Sequence, residues 1–218
     1  DILNTFTLDT LPDLDVVTLG ALELFKDTTL PQIDFHQFKR PLVIGSGNAL
    51  VTGKMLFDDV DAIFADESTY KEKLQTHASI DGAFLISAGG GKHAVEIAKT
   101  LQEHSLKTVL LTNNVHAEAK AFVPEECVFV FPKNREPYTY NTSTYMGMLL
   151  SKTFEDEQSI LDFIHNEVIS KIPENLSSYT AFYLIVPESF SEMSEMFRTK
   201  FDELFGPKVF GRVFTYEQ

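Results

Sequence analysis

Three consecutive glycines, Gly89, Gly90 and Gly91, stand between Ser87 and Lys92. Glycines leave backbone N–H groups uncovered, Ser87 offers a hydroxyl, and Lys92 adds a full positive charge. Together they suit the capture of an anion such as a phosphate. A second group of the same kind, Gly45, Ser46, Gly47 and Asn48, occurs forty residues earlier in the chain. Each group sits where an apolar run changes to helical spacing. Residues 83–87 read as a buried strand. From about residue 92, Ala94, Val95, Ala98 and Leu101 recur at three- and four-residue spacing, with Glu96, Lys99 and Glu103 on the other side. A strand turning through glycines into a helix gathers free amides at the positive end of the helix dipole.

Composition narrows what anion and what setting. The net charge is −14. It argues against broad nucleic-acid or anionic-membrane binding, so a phosphate site must be positive locally. No apolar run reaches the ~18 residues of a membrane span. The first fifteen residues lack the basic-then-apolar pattern of a signal peptide. A single cysteine, Cys127, at the start of an apparent strand, reads as a buried structural thiol and points to a reducing, cytoplasmic setting. With 44% hydrophobic residues and 19 Phe, the chain has ample material for a core.

Further elements follow in order. Residues 1–13 read as irregular. Residues 15–26 read as a helix with Val16, Leu19, Leu22 and Phe25 on one face. Strands are expected at 42–44, 62–66, 83–87, 107–114 and 127–131, with helices or short turns between them. Helices are expected from Ala49, with Leu50, Met55 and Leu56 toward the core, and from Thr142 or Ser143, either of which would cap it. The strands are continuous apolar runs, as when both faces are covered. The expected fold class is therefore α/β: a three-layer αβα sandwich around a five-stranded parallel sheet in the flavodoxin-like order 2-1-3-4-5. In that order the first and third strands are neighbours, and both glycine turns open onto the crevice where the order reverses.

Residues 153–173 read as one long acidic helix. A sixth strand is expected at 180–187, a helix at 189–205 and a mixed segment at 209–216. The expected division is a first domain over 1–153, then a linker helix and the beginning of a second, cut-short α/β unit over 154–218. The first glycine turn also admits a dinucleotide-binding reading. Gly45-x-Gly47 follows a strand, and Asp66 or Glu67 lies about twenty residues on, although Leu50 holds the third glycine position. A P-loop is excluded, because the spacing is wrong and His93 stands where Ser or Thr would hold magnesium. His77, His93, His104, His116 and His165 are scattered, and no pair has metal spacing. Lys133, Asn134 and Arg135 follow the fifth strand, at the edge of the sheet that carries ligands.

Residues 41–150 resemble the sugar isomerase (SIS) domain. The likeness is carried by VIGSGNA at 43–49, AIFADES at 62–68, the strand ending at Leu85-Ile86-Ser87, TVLLTNN at 108–114 and VFVFPKNREP at 128–137. In that family a turn of the form S-x-S-G-x-T after the third strand holds the phosphate of a phosphosugar. Ser87 matches its first serine and Gly90 its glycine. Gly89 replaces the second serine and Lys92 the threonine. Ser46 and Asn48, in the turn Gly45-Ser46-Gly47-Asn48, match the family's other ligand-contacting loop, and all four are taken as candidate binding residues.

The resemblance implies a protein that binds a sugar phosphate or amino-sugar phosphate, needs no metal or other cofactor, and forms a homodimer. It also implies aldose–ketose isomerisation through an enediol by acid–base catalysis. Several such isomerases supply a glutamate followed closely by a histidine from a second domain. This makes Glu217 the candidate base, with the histidine falling just past the last residue. A non-catalytic phosphosugar sensor is the alternative, favoured by the changes at Gly89 and Lys92.

Overall fold

The computed structural model describes residues 2–217. A short helix, α1 (Ile2–Thr5), and α2 (Leu14–Lys26) precede five alternating units. These are β1 (Pro41–Ile44), α3 (Asn48–Leu56), β2 (Ile63–Ala65), α4 (Tyr70–Thr76), β3 (Gly82–Ile86), α5 (His93–Glu103), β4 (Thr108–Thr112), two 3-10 turns, β5 (Val128–Val130) and α6 (Thr142–Thr153). The five strands form one parallel sheet in the order β2-β1-β3-β4-β5. Leu42 lies opposite Ile63 on one side and Ala83 on the other, and Phe84 lies opposite Val109.

Every residue of β1, β3 and β4 is buried, which is why their sequences run apolar without alternation. Right-handed crossovers place the helices. The chain steps one way from β1 to β2 and the other way from β2 to β3, so α3 covers one face while α4 and α5 cover the other. Gly53 of α3 lets that helix press on Val43 and Ile86, where a Cβ would come within 2.7 Å of Val43. On the other face Tyr70 reaches Thr100 at 3.3 Å and Lys71 pairs with Glu96 at 2.7 Å. Phe84 anchors the core, with the Phe57 ring at 4.6 Å, Phe38 at 5.6 Å and Phe35 at 6.2 Å. Burying each such ring contributes roughly 2–3 kcal/mol. A second cluster joins Ala21, Leu22 and Phe25 of α2 to Leu150 and to Leu161 of α7 (Glu157–Phe163).

Several local expectations are corrected. Residues 2–5 are helical rather than irregular. The buried face of α2 is Val17, Ala21, Leu22 and Phe25, and Val16 is exposed, so the stripe is turned from the one the sequence suggested. In α3 the buried positions are Ala49, Val51, Thr52, Gly53 and Leu56. Cys127 is buried in a 3-10 turn just before β5. The N-terminus of α6 is capped by neither Thr142 nor Ser143. The Glu136 carboxylate accepts from the N–H groups of Thr142, Ser143 and Thr144 at 2.9–3.1 Å and from the Thr144 hydroxyl at 2.6 Å. The long acidic segment is not one helix. It is α7, capped by Asp156 on Ser159, then one wide turn over Ile164–Val168 and a 3-10 turn over Ile169–Lys171.

Beyond it, β6 (Ala181–Val186) and β7 (Phe210–Thr215) pair in parallel as a separate two-stranded sheet, with α8 (Met193–Phe205) between them in sequence. Gly211 is bare of Cβ because Phe201 of α8 lies against it. The helix α8 reaches back to the first sheet's helices. Glu192, just before it, pairs with Lys54 of α3 at 3.0 Å, and the Lys200 ammonium donates to the carbonyl of Thr139.

Candidate functional site

Both glycine turns leave the carboxyl ends of central strands. From β1 the chain turns through Gly45, Ser46 and Gly47 into α3. A Cβ on Gly45 would lie 2.7 Å from the backbone of Ala49 and Leu50, so no side chain fits there. From β3 it turns through residues 87–92 into α5. Gly90 has φ +62°, and a Cβ on it would lie 2.3 Å from that of Ala117. The residue before each helix has nearly the same backbone: φ +53°, ψ −122° at Gly47 and φ +47°, ψ −115° at Lys92. The two turns differ in length but enter their helices through the same backbone conformation, held by glycine in one and by lysine in the other.

Because β1 and β3 are adjacent where the strand order reverses, both turns face one cleft of about 660 Å³. All eight binding positions expected from the sequence line it: Gly45, Ser46, Gly47, Asn48, Ser87, Gly89, Gly90 and Lys92. The N–H groups of Gly47, Asn48, Gly91, Lys92 and His93 donate to no described group. Two helix N-termini therefore direct unused donors into one space. The ammonium of Lys92 is exposed beside them and joins no ion pair among the described residues.

The two serines are partly engaged. Ser87 Oγ accepts from the N–H of Gly90 at 3.2 Å, which steadies the turn and leaves its own hydrogen free to donate. Ser46 donates its hydroxyl to the carboxylate of Glu67. The neighbouring acid, Asp66, is held by the hydroxyls of Thr69 and Ser68, both at 2.7 Å, and these bonds keep its carboxyl low, at about 2. Both acids that could hold a dinucleotide's ribose are thus engaged by the chain's own hydroxyls.

The rest of the cleft was not anticipated. Tyr138, Asn141 and Tyr145 form one wall. Burial pushes the Tyr145 phenol up to about 12, so at neutral pH it is a donor. Glu195, Thr199 and Glu203 of α8 form the other wall. Their four-residue spacing is a polar stripe on one helical face, the signal that could have revealed them. Glu195 lies 3.9 Å from Arg198, and Glu203 lies 2.7 Å from Lys200.

Glu217 is placed elsewhere. It follows β7, is exposed, and does not line the cleft. The reason is topological: the cleft belongs to the first sheet, and of the β6–α8–β7 unit only α8 lines it. His93 does line the cleft, at the first residue of α5. Among the described residues no group of three His, Cys, Asp or Glu side chains could hold a metal ion, and no helix is long and apolar enough to cross a membrane.

No protein-family model matches the sequence, and no curated protein matches it. Solved structures do. A candidate phosphosugar isomerase from Clostridium difficile is 11% identical with a TM-score of 0.60, over 94% of this chain and 68% of that one. The C-terminal domain of glucosamine-fructose-6-phosphate aminotransferase from Francisella tularensis is 11% identical with a TM-score of 0.59, over 97% of this chain and 72% of that one. A candidate sugar-binding protein from Salmonella typhimurium is 13% identical with a TM-score of 0.58, over 94% and 73%. At such identities the likeness establishes the fold, which is SIS-like as the sequence led us to expect.

Proposed function

We propose that the cleft binds a phosphorylated sugar, with the phosphate over the N-termini of α3 and α5 and the sugar extending between Tyr138, Tyr145 and α8. One observation carries this reading: two glycine-rich turns, each entering its helix through the same backbone conformation, bring unused amides and the Lys92 ammonium to a single cleft. Five amides and an ammonium replace the hydroxyl donors absent at Gly89 and Lys92, because a dianionic phosphate accepts from either kind of donor. In this reading Gly45, Ser46, Gly47, Asn48, Ser87, Gly89, Gly90 and Lys92 are the binding positions. The folds likened to this one include proteins described as acting on or binding sugars and their phosphates, which agrees with the reading.

The activity we propose for this cleft is aldose–ketose isomerisation. A carboxylate moves a proton between C1 and C2 through an enediol, and a hydroxyl or imidazole assists ring opening. The base must reach the sugar. Glu195 and Glu203 line the cleft and Glu217 does not, so the α8 glutamates replace Glu217 as candidates. A binding-only reading draws on one specific observation: both of these carboxylates lie beside cations of their own helix, Arg198 and Lys200.

Calorimetric titration separates the readings. Fructose 6-phosphate and glucosamine 6-phosphate are expected to bind, and their unphosphorylated sugars and NAD(P) are not. Tight NAD(P) binding without sugar-phosphate binding would end the proposal. Deuterium uptake at C1 or C2 of a bound sugar phosphate in D2O reports the enediol step. Binding without uptake, in the presence of unaltered Glu195 and Glu203, leaves a sensor.

A further inference from the structure

The segment Lys133-Asn134-Arg135 lies at the ligand-bearing edge, and the structure divides its three side chains. Arg135 donates to the carbonyls of Asn4 and Phe6 at 2.8 and 2.9 Å and stacks 4.2 Å from the Phe6 ring centroid. Asn134 donates to the carbonyl of Gly20 at 2.7 Å. Both hold α1 and α2 against the sheet. Lys133 is left over. It is exposed, has no carboxylate partner among the described residues, and lines a second cavity of about 500 Å³.

That cavity opens beside the first cleft. Ala88, Gly89, Tyr138 and Asn141 line both. Its ionisable side chains, besides the Tyr138 phenol, are Lys133 and Glu136. The Glu136 carboxylate already accepts four hydrogen bonds at the N-terminus of α6, where the helix dipole offsets its charge. Glu136 is thus occupied by α6 and its charge partly offset, which leaves Lys133 as the charge free to meet a ligand. Deeper in, the amide of Asn113 donates to the carbonyls of Phe131 and Thr144 at 3.4 and 3.2 Å, but its buried Oδ1 accepts from nothing. A buried acceptor without a donor is costly unless a ligand or water supplies one.

We propose that this second cavity is an anion-accepting subsite for the far end of the same ligand. Lys133 is the counter-charge for a carboxylate or second phosphate, and Asn113 Oδ1 accepts from a hydroxyl of the connecting chain. The proposal rests on the phosphosugar-binding reading of the first cleft and narrows it to sugar phosphates that carry an acid group at the opposite end; where the acid is a substituent on the sugar, C1 and C2 stay free for isomerisation, and where it replaces C1 the ligand is bound without being isomerised.

Two open-chain probes differ only at that end: 6-phosphogluconate has a carboxylate where sorbitol 6-phosphate has a CH2OH. Calorimetry on the whole chain is expected to find 6-phosphogluconate bound roughly fivefold to tenfold more tightly, the scale of one charge-assisted contact at a partly solvated site. Lys133→Gln should abolish that preference and leave sorbitol 6-phosphate affinity within about twofold. Lys133→Arg should keep the preference, and an unchanged Tm shows that both variants fold. Equal affinity of the two probes for the wild type overturns the subsite alone. So does a preference that survives Lys133→Gln, or an equal loss for both probes. Failure of both probes to bind the wild type overturns the phosphosugar reading and the subsite with it.

Discussion

Lys92 occupies a backbone conformation that glycine occupies in the sister turn. A side chain at φ +47° costs roughly 1–2 kcal/mol. Lys92→Gly therefore separates fold from function. Relief of the strain should stabilise the protein by about 0.5–1 kcal/mol, less than the full strain because glycine also frees the unfolded chain. Sugar-phosphate affinity should fall roughly tenfold with the loss of a charge-assisted contact. Thermal melts and titrations read the two effects, and unchanged affinity would remove Lys92 from the site. Asp66 makes a prediction of the other kind. Its carboxyl, held at about 2 rather than the ordinary 3.8, stabilises the fold at any pH above the ordinary value. That contribution disappears as pH falls from about 4 toward about 2, because protonation then favours the unfolded chain. Asp66→Ala should cost about 1 kcal/mol at neutral pH, as for a lost helix cap. The difference from wild type should shrink steadily below about pH 4 and fall away only below about pH 2, where the native carboxyl is itself protonated; a difference that keeps its neutral-pH size there would show that the carboxylate charge is not its source.

At the scale of elements, helix termini matter most. The helices α3 and α5 leave their first amides open to the cleft, whereas α6 closes its own with Glu136 from outside the helix. Tyr138 and Asn141 lie between Glu136 and α6 in the chain and form a wall of the cleft. Glu136→Ala should destabilise the protein by about 2 kcal/mol, the upper range for a cap, and Glu136→Gln by about half that. Urea unfolding measures both. Equal effects of the two substitutions would mean that packing, not the carboxylate, holds the terminus. Sequence spacing did not identify this cap because Thr142 and Ser143 satisfy the local rule for N-caps. The tertiary course of 132–141 brings a stronger acceptor to the same amides.

The whole molecule is uneven. Its buried residues concentrate in the five-stranded sheet and its helices, and among the described residues beyond 154 only Leu161 and Thr215 are buried. Hydrogen exchange should follow this. The amides of β1, β3 and β4 should exchange only on global unfolding, and those of β6 and β7 through cheaper local opening. Equal protection of both sheets would contradict it. The α8 helix joins the two parts through Lys54–Glu192 and through Lys200, and it carries the acidic wall of the cleft.

The amino-acid sequence by itself determined the five strands, their parallel pairing and the two turns that meet at the cleft. Continuous apolar runs, glycines and helical spacing are local properties, and right-handed crossovers leave few ways to connect them. All eight positions expected to bind line one cleft because they belong to those turns. Only the tertiary structure decided which carboxylates face the cleft. Glu217 is a short distance from Glu203 along the chain, but β7 carries it away while α8 turns Glu195 and Glu203 inward. Likewise, Lys133, Asn134 and Arg135 read alike until packing against α1 and α2 engaged two of them. Which side of a helix or loop meets a partner distant in sequence is set by packing between elements, and no local spacing encodes it.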